Sequence, residues 1–416
     1  MENLTPNSTR KLVSIVLSGG GARGAYEAGV LSYLFEHVYP VLPPDFEFDI
    51  LSGTSVGAIH AAYVAASAHM SGPQRADRIL GTWRNMVMGD VLNLSATDLV
   101  GIPLRALGVK QLSQRLRAGA EVVGGLVDLT PLERLVAERI PWAHLRDNLA
   151  KPRPGALCIS CTEIRTGRVT VFMDGALADP RPWSFDPIAQ AVTAEITDRH
   201  VRASAAIPFL FPAVRIGERY YVDGGLRMNT PLSPALRLGA HGVLVVGLKH
   251  TEAAVETARA YPEEIITQPA FLLGKVLDAL LLDQLEYELR RVDLVNAWIE
   301  RGTRVYGDEF LEKINSAVRE LRGVGYRHVA TQMIRPSEDL GRVAAECYRR
   351  RGGARVLGVL PALLARLAIG GTPPDEADLL SYIYFDRCFT TRLIEMGRED
   401  ARRKHDEILR VLSGAP

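Results

Sequence analysis

Two glycine turns near the start of the chain, each preceded by a short apolar run, restrict its fold more than any other feature. The first, Gly19-Gly20-Gly21-Ala22-Arg23-Gly24, follows Val13-Ser14-Ile15-Val16-Leu17-Ser18. The second, Gly53-Thr54-Ser55-Val56-Gly57, follows Phe48-Asp49-Ile50-Leu51-Ser52. Residues 12–18 and 48–52 read as buried strands, and 24–38 and 56–69 as the helices after them. Two successive strand–turn–helix units predict a mostly parallel sheet covered by helices, an α/β protein of three layers. A serine between two glycines at such a turn is a nucleophile elbow. A glycine turn beside it offers backbone N–H groups to a developing oxyanion.

The first turn also satisfies G-x-G-x-x-G, the dinucleotide-binding pattern. That reading needs an acid at the end of the next strand to hold a ribose. Ser52-Gly53-Thr54-Ser55 stands there instead, and Asp49 lies at the strand's start. The elbow reading therefore takes precedence. A serine hydroxyl needs a base to remove its proton during attack. His241, His250, His328 and His405 lie in no distinctive loop, and His60 sits one turn into the helix after Ser55, where packing is the simpler reading. Asp223 ends the extended segment Arg219-Tyr220-Tyr221-Val222 and precedes Gly224-Gly225, which lets a backbone or ligand come close. By itself Asp-Gly-Gly reads as a turn.

Together the three blocks resemble the signatures of patatin-like phospholipases. The flanking Ala203-Ser204-Ala205-Ala206-Ile207-Pro208, Cys161-Thr162-Glu163 and Asn229-Thr230-Pro231 also fit. The resemblance covers residues 11–250 and implies a patatin-like catalytic domain there. It implies a Ser–Asp dyad without histidine, with Ser55 as nucleophile and Asp223 as general base. Backbone N–H groups of Gly20, Gly21 and Ala22, with Arg23, would form the oxyanion hole, and Gly19, Gly24, Gly53, Gly57, Gly224 and Gly225 support the turns. An ordinary carboxylate, with a pKa near ~3.9, is a weak base for serine, so burial must raise it. The oxyanion donors carry much of the demand, each worth about 3 kcal/mol in the transition state.

The implied activity is that of a serine acyl hydrolase cleaving acyl esters of phospholipids or related lipids through an acyl-enzyme. A soluble carboxylesterase or thioesterase with the same dyad is the alternative enzyme. A catalytically vestigial membrane-associated regulatory protein is the alternative outside enzymes. No metal and no cofactor is expected, since the sequence has no H-E-x-x-H, no Cys/His ligand cluster and no EF-hand loop.

The remaining chain sets the context. A length of 416 residues suits one large α/β domain with an appendage, and a net charge of +1 points to no nucleic-acid partner. Residues 89–127, rich in leucine without one clean period, read as short helices or a cap over the site. Thr130-Pro131-Leu132-Glu133 reads as a capped helix start. Residues 156–163 and 168–173 form a hairpin, 188–205 a helix, and 209–216 and 219–222 extended segments. Residues 242–248 and 327–335 are further strands. Residues 251–416 read as a mainly helical extension, with apolar helical spacing over 269–300 and helices over 337–350, 353–369 and 375–412; its packing on the same core or self-association into a homo-oligomer are both expected from that pattern. Four cysteines do not make a disulfide framework, and Cys158 and Cys161 read as buried thiols in a strand. With no N-terminal signal or apolar stretch of membrane-spanning length, the expected location is cytoplasmic, with peripheral contact to a lipid surface.

Overall fold

The computed structural model of the protein describes residues 10–91, 122–123, 130–208, 211–250, 284–350 and 378–414. Strand β1 (Leu12–Leu17) is buried almost throughout, as its apolar run, interrupted only by Ser14, requires of a strand covered on both faces. It lies between two parallel neighbours: Ile15 is opposite Leu51 of β2 (Ile50–Thr54) and Leu244 of β9 (Ala240–Val246). Beyond β9, β10 (Ala330–Ile334) adds another parallel strand, so the C-terminal region contributes to the central sheet.

On the other side β2 runs parallel to β4 (Ala156–Glu163) as far as the pair Thr54 and Ser160. There β2 stops and β4 continues. The same edge of β4 is taken over by antiparallel β8 (Arg219–Asp223), whose Asp223 faces Cys161. Antiparallel β7 (Ala213–Ile216) and the short β3 (Val122–Val123) extend this arm. The opposite edge of β4 carries β5 (Val169–Asp174), antiparallel, and then β6 (Ala189–Thr193), parallel to β5.

Helices α1 (Gly24–Tyr33), α2 (Val56–Ala66) and α3 (Gly72–Asn85) follow the two glycine turns, as their sequence predicts. The capping box of Ser71 and Gln74 starts α3. Helix α4 begins at Thr130 and ends at Arg139. The helix expected over 188–205 is corrected. Residues 189–193 pair with β5, and the helix α5 (Asp198–Ser204) starts only after Thr197, whose side chain and that of His200 close a capping box. An edge of β5 left unpaired would have exposed a row of backbone groups, which outweighs local helical preference at these five residues.

Farther on come α6 (Gln284–Tyr306), α7 (Phe310–Arg322), α8 (Leu340–Arg350), α9 (Asp378–Ile383), α10 (Arg387–Arg403) and α11 (His405–Ser413). Most of the segment 89–127, the first part of the 269–300 pattern and the helix expected over 353–369 lie outside the described residues. Cys158 and Cys161 are buried free thiols, whereas Cys347 of α8 and Cys388 of α10 are disulfide-bonded. Composition alone did not single out that pair. Among the described residues no helix is long and apolar enough to cross a membrane.

The C-terminal helices share the core of the N-terminal region: Phe389 and Leu393 of α10 belong to the same apolar cluster as Leu31 and Val64. Helix α10 lies directly on α1, because glycines face each other's backbones. A Cβ on Gly29 would collide with the Ile394 carbonyl, and one on Gly397 with the Tyr26 carbonyl. Tyr26 Oη also donates to Asp400 Oδ2 at 3.1 Å. Gly397→Ala is expected to lower stability by about 1–3 kcal/mol in urea unfolding, since two packed backbones must separate. Gly81→Ala, inside α3 with nothing within 4 Å of the added methyl, should instead raise it by roughly 0.5–1 kcal/mol.

Candidate active site

Ser55 stands between the end of β2 and the start of α2, with φ 56° and ψ −125°. Among the described residues it is the one non-glycine with a positive φ. An L-residue held there stores of order 1–3 kcal/mol of strain and survives only where its surroundings dictate it. Those surroundings are close backbones. A Cβ on Gly53 would strike the Gly57 carbonyl, and one on Gly57 the Leu17 carbonyl, so the elbow closes on itself and α2 presses against the end of β1. The Ser55 N–H donates to Ser204 Oγ at 2.9 Å, and that hydroxyl donates to the Ser160 carbonyl at 2.7 Å. Thr54 Oγ1 donates to the Met228 carbonyl at 2.8 Å, and Ser52 Oγ to the Pro231 carbonyl at 2.9 Å.

The first glycine turn lies against the elbow. A Cβ on Gly19 would approach Ser55 Cβ to 3.0 Å. Asn229 clasps the turn from behind: its carbonyl accepts the Gly19 N–H at 3.0 Å and its Nδ2 donates to the Gly19 carbonyl at 3.1 Å. Gly21, at φ 55°, is in the left-handed region that favours glycine, and it shares one pocket with Ser55. No described residue takes the N–H groups of Gly20, Gly21 or Ala22 in a hydrogen bond. Arg23 is placed differently. Its N–H closes the turn on the Gly20 carbonyl at 3.1 Å, and its buried guanidinium donates to Ser381 Oγ at 2.7 Å and Tyr382 Oη at 3.2 Å. The Arg23 side chain thus turns to the C-terminal region, and three of the four expected donors remain as a group.

Asp223 reaches Ser55 because β4 aligns the ends of β2 and β8. Thr54, next to the serine, pairs with Ser160, and Asp223 pairs with Cys161. The carboxylate is 4% exposed. It accepts the Gly225 N–H at 2.7 Å, and the Ser55 side chain is near enough to pull its pKa down. Burial pushes its pKa up from 3.8 to about 6 against the opposing pull of those two groups. Gly224 permits this: a Cβ there would strike the Ser160 carbonyl.

A pocket opens from Ser55 and Gly21 between α2, α3, α4 and α9. Its walls are Val56, Ile59, Ile79, Leu132, Phe211 and other apolar side chains. The polar groups at its wall are largely occupied elsewhere. His60 Nε2 accepts from Trp83 Nε1 at 2.9 Å, and its Nδ1 meets Glu27 Oε2 at 2.7 Å. Glu27 Oε1 accepts the Ser18 N–H at 2.8 Å, and burial raises the pKa of this carboxyl. Tyr63 Oη donates to the Arg75 carbonyl at 2.6 Å. His60 is therefore packed, as its position on α2 suggests, and is engaged away from Ser55. The sequence carried no spacing signal for the Glu27–His60–Trp83 chain or for Tyr382. Ser204 lay inside a recognisable block, with nothing to show that its hydroxyl supports the elbow.

The fold and this arrangement define an α/β protein whose strained elbow serine meets a buried carboxylate and a nest of backbone N–H groups. The Patatin-like phospholipase family model matches residues 15–236, more than half of the chain, and the chain belongs to that family. It is 23% identical over 246 residues to uncharacterized NTE family proteins of Mycobacterium bovis and Mycobacterium tuberculosis, a match over 59% of this chain and 51% of each relative. The chain thus spans about half the length of these relatives. VipD from Legionella pneumophila aligns at 15% identity and a TM-score of 0.32, covering 79% of this chain and 61% of that one.

The elbow strain has a direct consequence. Ser55→Gly should raise unfolding stability by about 1 kcal/mol over the parent, while Ser55→Ala, which keeps the Cβ, should leave it nearly unchanged in urea titrations.

Proposed function

We propose that the protein is a serine acyl hydrolase that cleaves acyl esters of phospholipids or related lipids through a Ser55–Asp223 dyad. The observation that carries this reading is the meeting of a strained elbow serine with a carboxylate buried to a pKa of about 6, at the mouth of an apolar pocket. Membership of the Patatin-like phospholipase family supports it.

In this mechanism the acyl chain lies in the apolar pocket and brings the ester carbonyl to Ser55. Asp223 takes the serine proton as the hydroxyl oxygen attacks. The tetrahedral oxyanion that forms is held by the N–H groups of Gly20, Gly21 and Ala22. Collapse expels the alcohol or lysophospholipid, which receives the proton from Asp223, and leaves the acyl group on Ser55. Water, deprotonated by the same carboxylate, then releases the fatty acid. A carboxylate at pKa about 6 is a stronger base than a solvated one and is still ionised at neutral pH. A soluble esterase with this dyad would favour monomeric short-chain esters over vesicles. The apolarity of the pocket favours the lipid substrate, together with peripheral contact to a lipid surface.

Ser55→Ala and Asp223→Asn should each reduce ester hydrolysis by at least about 10³-fold, and a fluorophosphonate probe should label Ser55 alone. An Asp223→Asn protein with near-parental activity would overturn the dyad. The base must be ionised, so kcat/KM should rise with pH through about 6 and level off above it. Stability should move the opposite way. The folded carboxyl holds its proton more tightly than the unfolded one, so stability falls as pH rises from 3.8 through about 6. At pH 8 Asp223→Asn, which removes the buried charge, should therefore be more stable than the parent by up to about 3 kcal/mol in thermal or urea unfolding.

A further inference from the structure

The pocket that opens from Ser55 is not completed by the part of the chain that matches the family. That match ends at residue 236, yet Tyr382, Ile383 and Phe385 line the pocket beside Ser55 and Gly21. They come from α9 and the turn that leaves it. This segment is tied to the catalytic side at three points. The Arg23 guanidinium, besides its bonds to Ser381 and Tyr382, lies 4.0 Å over the Tyr382 ring. The Tyr382 carbonyl fills the space that a Cβ on Gly21 would need. The Phe385 ring stacks on Trp83, with centroids 6.3 Å apart and planes 17° from parallel. Behind it, Leu380 and Ser381 are fully buried and Asp386 caps α10 by accepting the Cys388 N–H at 2.8 Å. The wall is thus held in fixed register with the elbow and the first glycine turn.

We propose that the 382–385 segment is the selectivity wall of the acyl pocket, and that Ile383 sets the length of acyl chain that the site accepts. The inference rests on the acyl-hydrolase reading above. Its physical basis is the chemistry of the pocket: the lining is mostly apolar, the nitrogens of His60 and Trp83 and the hydroxyls of Tyr63 and Thr82 are already bonded, and its one arginine, Arg139, is an exposed residue. A charged or strongly polar group placed among them would lose its water without gaining partners. A methylene chain loses nothing, and each CH₂ buried there contributes about 0.8 kcal/mol. Among the wall residues Ile383 is only half-buried, so its side chain can be enlarged or trimmed without opening the core behind it. Phe385, buried against Trp83, holds the wall's position.

The test uses the full chain and two variants with opposite expected effects, Ile383→Ala and Ile383→Trp. The substrates are p-nitrophenyl esters from butyrate to hexadecanoate. Ile383→Trp should lower the ratio of kcat/KM for the hexadecanoate ester to that for the butyrate ester at least tenfold relative to the parent. Ile383→Ala should shift the preferred length upward. A profile that both variants leave unchanged, in proteins whose Ser55 is still labelled by fluorophosphonate, would overturn the wall. A second readout does not depend on catalysis: displacement of a fluorescent fatty acid from Ser55→Ala protein by octanoate or hexadecanoate. There Ile383→Trp should weaken hexadecanoate at least tenfold and octanoate little. If the parent neither hydrolyses esters nor is labelled, the hydrolase reading fails, and the binding series alone decides the wall. Equal binding of both chain lengths to parent and variants would then reject it.

Discussion

The edge of β4 is shared by two strands that arrive from opposite directions, and the candidate site depends on that sharing. Parallel β2 occupies the edge up to Ser160, and antiparallel β8 takes it from Cys161 onward. Two chain ends that meet head to head on one strand cannot both continue, so each must leave the sheet at that point. Ser55 and Asp223 are the residues at those two exits. Backbone hydrogen bonds fix the register of a strand pair to one residue, and a slip by one would turn Asp223 to the other face. The nearness of Ser55 and Asp223 is thus a consequence of sheet pairing and not of any direct attraction between the two side chains.

Around this meeting point the protein keeps several unfavourable features. Ser55 has a strained backbone, and Asp223 holds a carboxylate away from water. Each would relax if its surroundings gave way. They are prevented by a clamp of close backbones and short polar contacts: Gly57 on β1, Gly224 on β4, Asn229 on Gly19, and Ser204 between the elbow and β4. Most of these contacts require the absence of a side chain, which explains why glycines surround the site. The same packing that supports the strain raises the base strength of Asp223, because low local polarity disfavours its charge.

The C-terminal region has a part in this that its helical pattern alone does not disclose. Through β10 it extends the sheet, through the Gly29–Gly397 crossing it covers α1, and through α9 it reaches the first glycine turn. Arg23 is the link. Its place in the glycine turn suggested a role toward an oxyanion, but a buried guanidinium needs partners for its several donors. Ser381 and Tyr382 are among those partners, and Tyr382 also supplies an aromatic face for it.

Much of the family-matching half was legible in the sequence, since its signals are local. An apolar run before Gly19 or Gly53 and a helix-forming run after it specify strand, turn and helix within about twenty residues, and only glycine suits turns closed so tightly. That was enough to place the elbow at Ser55 and to single out Asp223 before two glycines. Sequence reasoning misassigned residues 189–193, where pairing with β5 prevailed over local helical preference. It also had no access to the Glu27–His60–Trp83 chain or the Cys347–Cys388 pair, whose members have no shared period or spacing. By itself, then, the sequence determined the α/β class, the two turns and the residue types able to do acyl chemistry. Only the tertiary structure decided that Ser55 meets Asp223, that Arg23 faces α9 and that the pocket is closed from the C-terminal side, because contacts between distant segments depend on strand register and close backbone packing.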